Sequence, residues 1–360
     1  MSQSTTEVTA VLTPTLGIDL GDRRSDFCLL ADNDPVRRGS VATTPQAMAE
    51  LFGSQERCLV VMEVCSQSPW VSRVAREAGH EVIVADPRRL ALITRGVRKT
   101  DRKDAEWLAR LARADRALLN PVRHRDESTQ ADLSVMRARR SLVESRTALV
   151  NHVRGAVKAL GHRIKKCSAT SFHRQAPAQI PAQLRPALEP VLKVLEQLSE
   201  QIRAYDQLLE TIARTRYPQT ALLEQVPGVG SLVALMYVLT LEDPRHFARS
   251  RQVGPYLGLT PRKRQSGDSD PQLRITKAGD REMRRLLVIS ANYILGRHGP
   301  DCDLRRWGLK IAERGAKNAR KRAKVAVARR LAVLLHHLWL TGEVYDPHHL
   351  AKKRGELVSA

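Results

Sequence analysis

The chain has 360 residues, 42% of them hydrophobic, and Lys and Arg outnumber Asp and Glu by 60 to 38 for a formal net charge of +22. This fits a globular protein of two or three domains drawn to a phosphate-rich partner in a salt-sensitive way, and no apolar run reaches the roughly 18 residues of a membrane helix. The polar start MSQSTTEVTA shows no secretory pattern, and five cysteines without a C-x-x-C argue against a zinc ribbon or disulfide frame and for a cytoplasmic setting.

Residues 1–14 are expected to be a flexible N-terminus, and residues 15–125 alternate strands with helices. Short apolar runs predict strands over LGIDL (16–20), DFCLLA (26–31), CLVVME (58–63) and EVIVAD (81–86). Helices are expected over Pro45 to Phe52, Trp70 to Ala78 and Asp101 to Leu118, an α/β sheet layout.

Four carboxylates stand out in this part. Asp19 and Glu63 end apolar strands, and Asp101 and Asp104, spaced i, i+3, share a face of the last helix. Acids at strand ends project from the sheet edge where ligands bind. Four acids together repel unless cations sit between them, and hard oxygen donors suit Mg²⁺ or Mn²⁺. Two such ions, roughly 3.5–4 Å apart, can activate a nucleophile and stabilise the leaving oxygen of a phosphodiester. Singly, each acid has a plainer reading: Asp101 as a helix cap, Asp19 as a turn residue beside Gly21. Their joint order is how a ribonuclease-H-like nuclease assembles its site, so residues 15–125 are expected to form a nuclease domain of that kind.

Residues 126–216 read as a helical coiled-coil region. Leu188, Val191, Leu195, Leu198, Ile202, Tyr205, Leu209 and Ile212 alternate steps of three and four, and a looser version runs through Leu133, Met136, Val143, Val150, Val153 and Val157. Between them HRQAPAQIPAQLRP breaks the helix. The two helices are expected to pair as a hairpin or with another subunit.

Residues 217–345 are expected to be mostly helical, with 346–360 as a C-terminal tail. The turn V-P-G-V-G from Val226 to Gly230 between two apolar helices makes a helix-hairpin-helix-like pattern, in which Gly228 and Gly230 let backbone N–H groups approach a phosphate. Further on, Ser266 lies in a polar loop between Arg262, Lys263 and Arg264 on one side and Lys277 on the other. A serine needs a base or metal to become a nucleophile, and an isolated loop serine is usually inert.

Arg305 to Arg330 holds eleven Lys or Arg against one acid, Glu313, more than solubility requires. Nucleic-acid contact is expected there, centred on Lys317, Arg320, Lys321, Arg322 and Lys324. A second cluster that includes Arg88, Arg89, Arg98, Lys99 and Lys103 brackets the Asp101 helix and is expected to hold a strand over the metals. Aromatic residues make up 4% of the chain, too few for a stacking platform, so binding should depend on backbone charge and shape.

The whole succession resembles the DEDD transposases of the insertion-sequence 110/1111 family. The resemblance spans roughly Leu16 to Tyr345 and rests on G-I-D at Gly17 to Asp19, M-E at Met62 and Glu63, V-A-D-P-R-R from Val84, K-T-D-R-K-D-A from Lys99, V-P-G-V-G from Val226, Y-L-G-L-T-P-R from Tyr256 and K-A-G-D from Lys277. It implies a RuvC-like nuclease domain, a coiled coil and a transposase domain, with Asp19, Glu63, Asp101 and Asp104 binding divalent metal. It also implies a serine, by position Ser266, that attacks DNA and forms a transient phosphoserine link. Donor and target DNA would be cut and rejoined under the guidance of a structured bridge RNA. The working form would be a homo-oligomer, dimer or tetramer, in which the acids of one subunit meet the serine of another. Two stretches depart from the family pattern: Val64 to Trp70 after Glu63, and Gln265-Ser266-Gly267-Asp268-Ser269, where Asp268 adds negative charge and Ser269 is a second candidate. Two other readings stand beside this one. The first is a RuvC-like metal-dependent nuclease or junction resolvase without serine chemistry, the second a catalytically decayed nucleic-acid-binding protein.

Overall fold

The computed structural model describes residues 13–31, 36–86, 101–271, 273–315 and 318–353, except for the side chain of Asp101. The chain divides into two compact units, Met1–Asp126 and Glu127–Ala360.

The first unit is built on a five-stranded sheet. β1 (Thr15–Asp19) pairs antiparallel with β2 (Arg24–Leu30), and β2 antiparallel with β3 (Arg37–Ala42). On its other side β1 pairs parallel with β4 (Leu59–Glu63), which pairs parallel with β5 (Glu81–Ala85), giving the order β3-β2-β1-β4-β5. The central strands β1 and β4 are near-continuous apolar runs because both their faces are covered. One face, with Leu16, Ile18, Val60, Met62 and Val84, packs on Met48, Leu51 and Phe52 of α1 (Pro45–Gly53) and Val71 and Ala75 of α2 (Ser68–Glu77). The other face packs on α3 (Asp101–Ala114).

Two details differ from expectation. β3 was not foreseen, because RRGSVA shows no apolar alternation; it is a polar edge strand whose Gly39 leaves room for the Phe27 ring. α3 stops at Ala114 instead of Leu118, where the Asp115 carboxylate accepts from Ala117 N at 2.8 Å and a 3₁₀ turn (Arg116–Leu119) takes over.

The second unit opens with α4 (Glu127–Ala159) and α5 (Arg185–Arg216), which lie antiparallel. Leu133 and Met136 share a core with Leu209, Ile212 and Ala213, Arg139 pairs with Asp206, and Val150, Val153 and Val157 pack with Leu188, Leu192 and Leu195. The buried stripe of α5 is rotated from the one read off the sequence. Leu192, Ser199 and Ala213 are buried, while Val191, Leu198 and Tyr205 are half-buried at the rim. A straight helix drifts from a strict seven-residue repeat, and small residues fit the close approach of the two backbones.

The remaining core surrounds α6 (Ser231–Leu241), buried from Ala234 to Leu241, with Tyr237 donating its hydroxyl proton to Ala332 O at 2.6 Å. Around it lie α7 (Arg281–Ile294), α8 (Asp303–Ala312) and α9 (Ala319–Thr341). Residues 346–353 are tied to the start of α8, Asp303 N donating to Pro347 O at 2.8 Å and Asp303 accepting from Leu350 N at 2.6 Å. All five cysteines are free thiols. Among the described residues no helix is long and apolar enough to cross a membrane.

Candidate active site

Gly17 fixes where α3 meets the sheet. A Cβ there would overlap the Ala105 carbonyl oxygen and lie 2.9 Å from Ala109 N, so the α3 backbone rests directly on β1. The direction of α3 follows from its two ends. Arg113, in its last turn, donates to Leu30 O at 2.6 Å, and Leu30 faces Thr15 at the start of β1. Arg102, in its first turn, lies 3.9 Å from Asp26, which faces Asp19 at the end of β1. α3 therefore runs against β1 and brings its D-x-x-D turn to the strand's carboxyl end.

Side-chain alternation puts the strand acids on that same side. Gly17 faces α3, so Asp19, two residues on, faces it too. Leu59 and Val61 pack on Leu108, Leu111 and Ala112 of α3, so Glu63 shares their face. The β1–β4 register runs to Ile18 opposite Met62, leaving Asp19 and Glu63 as neighbours one residue further on, about 4.8 Å apart between strands. Asp19, Glu63 and Asp104 are all half-buried. Among the described residues no three Asp, Glu, His or Cys side chains are grouped tightly enough to hold a metal ion, and the Asp101 side chain lies outside that description. An all-carboxylate donor set on one sheet end and one helix turn has the chemistry of a hard divalent cation site and fits Mg²⁺ or Mn²⁺.

Sequence reasoning missed two neighbours of this region. Asp26 stands opposite Asp19 in register and shares the α3-facing side with Cys28 and Leu30; the alternation of β2 was the available signal. The other is a clamp on the loop after Glu63. Ser68 Oγ accepts from Cys65 N at 3.0 Å, donates to Cys65 O at 2.9 Å, and sits 2.9 Å from His124 Nε2. With its one proton on Cys65 O, Ser68 leaves an acceptor site for an Nε2–H of His124. Burial, then the nearby Arg76, Arg125 and Arg73, pushes the His124 pKa below the ordinary histidine value, which favours neutral imidazole.

In the second unit the described residues of the expected loop around Ser266 fold back as an irregular hairpin with two isolated bridges, Pro261 to Ile275 and Ser266 to Ser269. Thr276 N donates to Thr260 O at 2.9 Å and Arg262 N to Arg274 O at 3.0 Å, and the tip is closed by Ser266 N to Ser269 O at 3.2 Å and Ser269 N to Ser266 O at 3.1 Å. Ser266 and Ser269 flank the two-residue turn Gly267-Asp268, and both are exposed, as are Arg262, Lys263 and Arg264. The base is held by Arg284, whose Nη1 donates to Leu257 O at 3.2 Å, Gly279 O at 3.1 Å and Ala278 O. Lys277 is exposed and has a left-handed backbone, φ 58°, and Asp280 caps α7 by accepting from Met283 N at 2.8 Å.

The V-P-G-V-G segment forms a tight turn into α6. Gly228 has φ 78°, and a Cβ there would meet the Tyr293 ring at 3.0 Å; Gly230 caps α6 with its side facing open space. The basic run between Arg305 and Arg330 separates into two groups. Arg305 donates to Ile294 O and Gly296 O, Arg306 pairs with Asp301, and Arg330 stacks 4.5 Å over Trp307, so these three hold the fold. Arg320, Lys321 and Arg322 are exposed and Lys324 half-buried at the start of α9, whose first turn has no acid. Cations at a helix N-terminus oppose the helix dipole, a cost that an anion bound there would offset. Lys103 is exposed on α3, while Arg88, Arg89, Arg98, Lys99 and Lys317 lie outside the described residues.

Comparison with known proteins meets this geometry. Residues 16–161 match the family model DEDD_Tnp_IS110, described as Transposase, and residues 220–305 match Transposase IS116/IS110/IS902 family. The transposase for insertion sequence element IS1111A of Coxiella burnetii is 30% identical over 338 residues, 92% of this chain and 90% of that protein. The transposase for insertion sequence element IS1328 of Yersinia enterocolitica is 28% identical over 247 residues, 67% of this chain and 72% of that protein. With acids at one sheet end, and with likeness along nearly its whole length, the chain belongs to the IS110/IS1111 family of insertion-sequence transposases.

Proposed function

We propose that this transposase cuts and rejoins DNA at a divalent-metal site made by Asp19, Glu63, Asp101 and Asp104, with Ser266 as nucleophile. The observation that carries the reading is the convergence of two parallel strand ends and the first turn of α3 on one face of the sheet. The order β3-β2-β1-β4-β5, antiparallel on one flank and parallel on the other, supports a RuvC-like identity for the first unit. The antiparallel pair α4 and α5 supports the coiled-coil reading, and the turn at Gly228 and Gly230 supports the helix-hairpin-helix-like one.

Mg²⁺ or Mn²⁺ held by these carboxylates would stabilise charge on the attacking and leaving oxygens. Ser266 Oγ loses its proton and bonds to phosphorus, the phosphorus–deoxyribose oxygen bond breaks, and the freed oxygen takes up a proton. The phosphoserine ester keeps the strand available: a hydroxyl end of another strand attacks phosphorus, and Ser266 leaves and is reprotonated. Arg262, Lys263 and Arg264 on the same hairpin offer the phosphate its countercharge. The exposed tip suits a composite site in which the serine of one copy meets the acids of another, in a dimer or tetramer. The exposed cations of α9 suit the backbone of a bridge RNA that chooses donor and target, in the cytoplasm and at the nucleoid when active.

The metal-only nuclease remains a second reading because Asp268 sits beside Ser266 in the tip, where it repels a phosphate. The two readings separate on incubation with candidate RNA, Mg²⁺ and labelled DNA followed by denaturation. A protein–DNA adduct that requires RNA, metal and Ser266 supports serine chemistry. Cleavage that persists without any adduct in Ser266→Ala removes it, and an adduct retained in Ser266→Ala but lost in Ser269→Ala moves the role to Ser269.

A further inference from the structure

Trp107 is 47% exposed, although α3 is amphipathic, buries Ala105, Leu108, Ala109 and Ala112 away from it, and covers even its i+4 neighbour Leu111. Tryptophan is usually well covered, so an indole in water on this helix calls for a partner. Its position is informative. Asp101, Asp104 and Trp107 follow i, i+3, i+6, which puts the indole one turn beyond the acids, about 4.5 Å further along the axis from Asp104. Lys103 and Arg110 stand at i−4 and i+3 from it, both exposed. Two carboxylates lie in the same stretch, Asp104 of the candidate site and Glu106, and Glu106 is engaged by Arg38 at 2.8 Å and Arg110 at 2.7 Å, two cations to one acid. The surface is thus an aromatic face bordered by cations, the composition that binds unpaired nucleic acid through base stacking and backbone charge.

We infer that Trp107 stacks a base of an unpaired stretch of the substrate DNA strand, next to the phosphate held at the acids. The inference rests on the proposed role of Asp101 and Asp104, since what lies one turn from a cutting site lies against nucleotides flanking the cut. It adds to the expectation that binding depends on backbone charge and shape: aromatic residues are too few for a platform, but one indole beside the acids suffices for one base. A duplex keeps its bases stacked on each other, so Trp107 would favour DNA that is opened at the cut.

The test uses the full chain and compares Trp107→Ala and Trp107→Phe with wild type for binding to four labelled probes. These are an oligothymidylate, an abasic deoxyribose-phosphate oligomer of equal length, a duplex and an oligouridylate. Stacking predicts that Trp107→Ala weakens oligothymidylate binding by about five- to a hundredfold, that Trp107→Phe keeps most of the affinity, and that the abasic oligomer and the duplex bind as before. Equal losses on all probes, no loss on oligothymidylate, or a loss confined to oligouridylate would each overturn the inference. Asp104→Asn, assayed for Mg²⁺-dependent strand cleavage, tests the underlying reading separately. If it still cuts, the role given to the acids fails; if it does not cut and Trp107→Ala binds normally, the stacking inference alone fails.

Discussion

Replacing Gly17 by Ala is the sharpest way to disturb the candidate site without touching any acid. The added Cβ would overlap the Ala105 carbonyl oxygen and sit 2.9 Å from Ala109 N, where ordinary contact begins near 3.4 Å. Both obstacles are backbone, so no side-chain rotation relieves them, and α3 must retreat by roughly 1 Å. Overpacking of this kind typically costs about 1–3 kcal/mol. The functional effect should be larger in proportion, because the retreat carries Asp101 and Asp104 away from Asp19 and Glu63, and a misplacement of about 1 Å can cost roughly a hundredfold in rate. Thermal unfolding and Mg²⁺-dependent strand cleavage should be measured on the same preparation. We expect a folded protein, a lowered melting temperature and a cleavage rate reduced far beyond what the unfolded fraction explains. Unchanged stability together with unchanged cleavage would mean that α3 does not rest on β1, and the construction of the site would fall with it.

Three other predictions follow from particular contacts. Arg284→Ala should lower strand joining more than DNA binding, because the hairpin base loses its bridge across three carbonyls; Arg284→Lys should restore only part of it, since all three contacts come from the terminal Nη1 and a lysine ammonium ends one bond short of that position, and full joining activity in the alanine variant would contradict this. His124 is held below the ordinary histidine pKa by burial and then by Arg76, Arg125 and Arg73, so the unfolded chain binds a proton that the folded one resists. Its contribution to stability is complete above about pH 6.5 and is lost as pH falls below that value; His124→Asn should flatten the fall in melting temperature there, and an unchanged slope would count against it. Arg320→Ala should reduce the salt dependence of nucleic-acid binding by about one ion while raising the melting temperature slightly, because a cation leaves the positive end of α9; lowered stability would show that Arg320 belongs to the fold.

The parts of the fold that could be read beforehand are those encoded in local pattern. β1, β4 and β5 are short apolar runs buried on both faces, and the i, i+3 spacing of Asp101 and Asp104 on a helix needs no tertiary information. β3 was invisible because none of its residues is fully buried, so neither face needs an apolar row, and its pairing depends on Gly39 making room for a ring twelve residues earlier in the chain. The stripe of α5 was off by one position because what decides it is the partner helix, whose Arg146 reaches Ser199. Charge alone could not separate the structural arginines Arg305, Arg306 and Arg330 from the exposed Arg320, Lys321 and Arg322, since carbonyls, a carboxylate and an indole brought in by folding make the difference. The clamp between Ser68 and His124 spans 56 residues and left no local trace.

The most direct measurement is Mg²⁺-dependent cleavage and joining of element-end DNA by four variants, Asp19→Asn, Glu63→Gln, Asp101→Asn and Asp104→Asn, each checked for unaltered folding. The account predicts that every one falls to background while still binding DNA, because each removes one charged ligand from a shared metal site. Cleavage at the wild-type rate in any folded variant would contradict the four-carboxylate site on which the proposed function stands.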